Sequence, residues 1–150
     1  MTRTGRMAPV QQVMDDSERR HQQRLADAQR RLAESEQKLA ELQRYHLEYA
    51  QAFGQRATTG ATGMMLRDYQ VFLGRLAEAV RQQSQFVSRA REEVAVEMHH
   101  WQGAAQRAKA LGTVVERWRG EERREVERRD QQETDERAQQ LLGQALRSRN

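Results

Sequence analysis

Apolar side chains recur through the second half of the chain at an unbroken seven-residue step: Leu66, Leu73, Val80, Val87, Val94, Trp101, Ala108 and Val115. A second ladder runs beside it at Tyr69, Leu76, Gln83, Ala90, Ala104, Leu111 and Trp118. Two ladders interleaved at alternating three- and four-residue spacings form the a/d seam of a coiled coil. A helix that keeps a strict heptad must underwind, so the seam also predicts a left-handed supercoil. This pattern predicts a long contact line rather than a globule around a pocket.

The first half carries a weaker version of the same pattern. Pro9 suits the first turn of a helix, where a missing N–H leaves nothing unpaired. From there the seam reads Met14, His21, Leu25, Ala28, Leu32, Ser35, Leu39, Leu42, His46, Tyr49 and Phe53. The stretch GQRATTGATG, residues 54–63, then interrupts it with three Gly and three Thr. Gly54 is the expected stop of the first helix. Thr62 is the expected N-cap of the second, its hydroxyl accepting from a free N–H of the first turn. Helices joined by a short connection pack antiparallel. The predicted fold is therefore all-α: a single antiparallel coiled-coil hairpin over residues 1–150, with helix 1 at about 9–54, the loop at about 55–63, helix 2 at about 64–146 and the second helix overhanging the first.

With the turn centred near residue 59, equal rise on both helices sets Pro9 opposite about residue 109. The second seam continues past that level through Leu111, Val114, Val115 and Trp118. Either residues 1–8 extend the first helix over this cluster or the cluster projects beyond it, and an uncovered cluster is a partner site. Beyond Trp118 the seam stops. Residues 119–137 hold little apolar besides Val126, and Glu125 to Arg129 and Glu133 to Arg137 have the favourable i, i+4 order. A short apolar stripe follows at Ala138, Leu141, Leu142, Ala145 and Leu146. Gly74, Gly103 and Gly112 stand inside the second helix, at about 1 kcal/mol each relative to Ala.

Composition narrows the chemistry. Hydrophobic residues make up 37% and charged residues 32%, enough for a stripe along helices and too little for a compact core. There is no Cys, hence no disulfide framework and no thiolate nucleophile, which fits a reducing compartment. Arginine supplies 24 of the 26 basic residues, yet 22 interleaved acids leave a net charge of +4. Charge so interleaved reads as a solvated helix face, not a nucleic-acid footprint. The opening MTRTGRMAPV has no apolar h-region, and no stretch approaches the length of a membrane span. A cytoplasmic protein without membrane insertion is expected, with peripheral association to a membrane complex left open.

No catalytic, cofactor or metal site is expected. His99 and His100 are neighbours about 100° apart on a helix and do not share a metal in the i, i+4 manner. His21 and His46 fall on the first seam, where polar residues set register. No GxxxxGK[ST] is present, and Gly60 and Gly63 follow no strand, so they form no phosphate cradle. The carboxylates lie on exposed helix faces, away from the burial that tunes a catalytic acid.

The block QRYHLEYAQAF, the Gly/Thr-rich loop and then LRDYQVFLGRLAEAVRQQ resemble the flagellar export protein FliJ. Tyr45, Glu48 and Tyr49, with Tyr69, Gln70 and Phe72 in register, carry the resemblance beyond the heptad common to all coiled coils. The ending TDERAQQ is also similar. The resemblance implies a non-enzymatic hairpin similar to the two-helix stalk of the rotary ATPase γ subunit. It implies three partners: the flagellar export ATPase hexamer, whose pore takes the end bearing both termini; the cytoplasmic region of the membrane export gate; and export chaperones that have released cargo. It further implies a cytoplasmic location, peripheral to the inner membrane.

Carried over residue by residue, the gate contact falls on Leu42, Tyr45, Tyr49, Phe72, Leu76, Ala79 and Gln83. Lys38 stands where the family has a polar amide, and Gln83 where relatives have a histidine. Of these, Tyr45 and Phe72 are expected as aromatics flanking the seam at one level on opposite helices, the best placed for binding. Leu111, Val114, Val115 and Trp118 are the expected contact to the ATPase ring. The equivalent stalk of a virulence type III secretion system shares this architecture. A general coiled-coil scaffold or homodimer, and a nucleic-acid-binding hairpin, are the other classes.

Overall fold

The computed structural model of the chain describes residues 2–149, which form two helices, α1 (Arg3–Thr59) and α2 (Gly63–Arg149). They pack against each other as an antiparallel hairpin, and no strand occurs among the described residues. Burial follows the heptad. On α1, Met7, Gln11, Met14, His21, Leu25, Ala28, Leu32 and Ser35 are buried or half-buried between exposed neighbours, with the same alternation of three and four.

Both ends of α1 differ from the expectation. The helix begins at Arg3, not near Pro9. Thr2 caps it, its hydroxyl accepting from the N–H of Gly5 at 3.0 Å and its carbonyl from Arg6 at 3.1 Å. Pro9 therefore lies inside the helix and removes the bond to the Gly5 carbonyl. Seam packing through Met7, Gln11 and Met14 carries the helix past that lost bond. At the other end the chain runs helically through Gly54 and stops at Thr59. Gly60 takes φ 98°, and the Ala61 N–H donates to the Arg56 carbonyl at 3.2 Å, the six-to-one bond of a Schellman stop. Thr62 caps α2 as expected, its hydroxyl accepting from the Met65 N–H at 3.3 Å.

The two glycines should respond with opposite signs. Gly60→Ala forces a side chain into a left-handed residue and is expected to cost about 1–2 kcal/mol. Gly54→Ala meets nothing within 4 Å and is expected to add about 1 kcal/mol of stability. Thermal melts of the two variants check this, and a destabilised Gly54→Ala would return the helix stop to Gly54.

The hairpin divides into two compact units. In Glu18–Ala104, the buried apolar residues are Leu25, Ala28, Val87 and Ala104. Gln83 is buried among them, its amide donating to the carbonyl (3.0 Å) and hydroxyl (3.2 Å) of Ser35 across the seam. A buried polar group satisfied at one level is costly at any other, so this pair fixes register. Arg31 with Glu93, and Arg91 with Glu36 at 3.5 Å, join the helices outside the seam. Such exposed pairs contribute at most about 1 kcal/mol each.

The other unit is Met1–Ser17 with Ala105–Asn150. Here the start of α1 lies against α2. Arg3 pairs with Glu121 at 2.7 Å, and the Thr4 N–H donates to the Glu122 carboxylate at 3.3 Å. Past this level α2 continues alone to Arg149, and residues 126–149 are exposed apart from Gly143. This is the expected overhang. Local bonds support it: Glu125 meets Arg128, and Arg129 at 3.6 Å, while the Gln131 amide donates to Asp135 at 3.3 Å. The hydrogen bond from Arg128, and then its charge, holds the Glu125 carboxyl below the ordinary carboxylate range.

Candidate functional site

Five of the eight aromatic residues lie within residues 45–72, on either side of the turn. The antiparallel register brings four of them together in two pairs. Tyr49 and Phe72 meet edge to face with ring centroids 4.8 Å apart, and Phe53 and Tyr69 at 6.2 Å. The edge-to-face pair contributes about 0.5–1.5 kcal/mol beyond its area. Yet Tyr49 remains 40% exposed and Phe72 41%, so each ring keeps a face toward solvent. Leu47 and Val71 of the same stretch are also exposed. Leu42, Leu76 and Ala79 are half-buried.

Two expectations change. Phe72 faces Tyr49, not Tyr45; Tyr45 lies nearer the seam's interior end, exposed, with the Arg44 guanidinium 5.6 Å from its ring centre. Gln83 is not a surface contact, because its amide is spent on Ser35 and only 8% of the residue is exposed. Of the predicted gate residues, Tyr45, Tyr49 and Phe72 are thus exposed, and Leu42, Leu76 and Ala79 are half-buried.

The cluster Leu111, Val114, Val115 and Trp118 is covered rather than projecting. Val115 is 1% exposed, and Leu111, Val114 and Trp118 are half-buried. The physical reason is that residues 3–8 are helical and extend α1 over this level. The Arg3 guanidinium sits 4.4 Å from the centre of the Trp118 ring, a cation–π contact.

One constellation escaped the reading of single-helix spacings. His21 on α1 comes together with Glu97 and His100 on α2, one ligand atom from each lying within 4.8 Å of the others. The His21 and His100 rings are 5.8 Å apart. His99, the neighbour of His100, is exposed and outside the cluster. The available signal was Glu97 itself: it occupies the step between Ala90 and Ala104 that the second apolar ladder skips.

The chain is an all-α antiparallel hairpin with a buried polar pair in its seam and an aromatic cluster near its turn. Residues 3–147 match the family model described as Flagellar FliJ protein, and the chain belongs to this family. It is accordingly a component of the flagellar export apparatus. No curated protein and no solved structure matches the chain. No described helix is long and apolar enough to cross a membrane.

Proposed function

We propose that this chain is the non-catalytic stalk of the flagellar export apparatus, linking the export ATPase hexamer to the cytoplasmic region of the export gate. The match to the FliJ family along nearly the whole chain carries this reading. The band of Tyr45, Tyr49 and Phe72 is the gate-facing surface, supported by Leu42, Leu76 and Ala79. Partly exposed aromatics on a preformed support have the character of interface anchors. The unit that holds both termini enters the ATPase ring. There Leu111, Val114 and Val115 act from behind by holding α1 to α2, and Trp118 with Arg3 forms the contact. Export chaperones that have released cargo are further partners. The working location is the cytoplasmic face of the inner membrane, reached through these partners.

Titration of the chain into the flagellar export ATPase of the same source tests the proposal. Saturable stimulation of hydrolysis and of hexamer formation is expected, weakened at least about tenfold by Trp118→Ala at unchanged helicity. No binding at tens of micromolar would remove the stalk function and leave the chain a scaffold within the apparatus.

A further inference from the structure

We propose that His21, Glu97 and His100 form a zinc-binding clamp that ties α1 to α2. All three belong to the unit Glu18–Ala104, and the site is independent of the aromatic band and of the end that carries the termini. Glu97 and His100 stand three residues apart on one face of α2, and His21 reaches them from α1. Two imidazoles and one carboxylate are a common zinc set, with water completing a tetrahedron.

The polar atoms point to a missing partner. The Nδ1 of His21 and the Oε2 of Glu97 are buried without a hydrogen bond. The closest approach of the Glu97 carboxylate to His100 Nδ1 is 3.9 Å, beyond hydrogen-bond reach. The Glu97 side chain is only 20% exposed. A carboxylate oxygen held out of water without a bonded partner is unfavourable unless a cation reaches it. A metal ion satisfies all three groups at once. Ligand atoms around tetrahedral zinc lie about 3.3 Å apart, from bond lengths near 2.0–2.1 Å. The present spread is up to 4.8 Å, so the clamp requires the three side chains to rotate toward one another.

The nitrogen and oxygen ligands suit zinc and, more tightly, copper. Such a bond fixes the register of His21 against His100. It adds to the register already set by Gln83 and Ser35 at another level of the same unit.

The full chain, stripped with EDTA and titrated with zinc chloride, tests the clamp. One zinc per chain is expected, with a dissociation constant below about 100 µM. At zinc tenfold above that constant, Tm should rise by about 4 °C. Cobalt(II) in its place should give the visible absorption of a four-coordinate ion. His21→Ala, His100→Ala and the near-isosteric Glu97→Gln should each weaken binding at least tenfold while circular dichroism in EDTA stays helical. His99→Ala and His46→Ala should leave it unchanged. Absence of saturable binding would overturn the clamp. Binding lost with His99→Ala but kept in Glu97→Gln would overturn it in favour of the exposed histidine pair.

Discussion

Val115→Ala should loosen the start of α1, raising amide exchange across residues 3–17 about thirtyfold while leaving exchange at residues 25–35 and 80–90 unchanged. Val115 is 1% exposed and is the largest fully buried side chain among the described residues. Of the five buried apolar residues in this set, only Val115 belongs to the unit that holds both termini. The others, Leu25, Ala28, Val87 and Ala104, lie in the unit Glu18–Ala104. Truncating a buried branched side chain costs about 2 kcal/mol in lost transfer energy and residual cavity. A loss of that size corresponds to roughly thirtyfold in an opening equilibrium. The polar contacts at that level, Arg3 with Glu121, the Thr4 N–H with Glu122 and Arg3 over Trp118, are exposed or only part-buried and contribute little in compensation. Val115→Asp should go further and release α1 there altogether, because the carboxylate is buried without a partner. Exchange unchanged in Val115→Ala would show that the start of α1 is held by its surface pairs, and Val115 would return to the candidate contacts of the ATPase ring.

The difference between the two readings of Val115 shows where the sequence was legible. The heptad predicted the class, because a periodic apolar stripe must be covered by another helix, while the short Gly/Thr-rich connection predicted the antiparallel pairing and its position along the chain the overhang. Thr62 was legible because a hydroxyl before a helix has one use. The ends of α1 were harder. Gly54 and Gly60 are both glycines in a polar stretch, and only the backbone distinguishes a helical glycine from one at φ 98°. Pro9 argued for a start that Met7 and Met14 override by continuing the seam. That shift decided the fate of the apolar cluster, since an α1 beginning at Arg3 covers Val115 and one beginning at Pro9 does not. Side chains that meet only through register, such as Tyr49 with Phe72 or His21 with Glu97, were invisible to spacing on one helix. A displacement of one heptad position changes every such partner, and the exact turn residue sets that displacement.

Tyr49→Ala combined with Phe72→Ala should weaken binding to the cytoplasmic region of the export gate at least about thirtyfold and leave ATPase binding intact. Each ring is roughly 60% covered in the free chain, so its position is fixed before the partner arrives. A fixed aromatic gives up little conformational entropy on binding, and truncation of such an anchor commonly costs 2 kcal/mol or more. The fold should tolerate the change better. The pair contributes about 0.5–1.5 kcal/mol as an edge-to-face contact, and the seam below it keeps Leu42, Leu76 and Gln83 with Ser35. Tyr45→Ala alone should act in the same direction with a smaller stability change, since Tyr45 is 45% exposed and is not part of the Tyr49–Phe72 ring pair. Gln83→Ala provides the contrast: it leaves the Ser35 carbonyl and hydroxyl without their donor, so it should lower Tm before it affects the gate. Motility of cells carrying each variant, read beside pull-down of the gate and of the ATPase, separates the cases. Gate binding unchanged in Tyr49→Ala with Phe72→Ala would show that the pair only stiffens the region of the turn. Simultaneous loss of ATPase binding would show that the two partners do not act on separate parts of the hairpin.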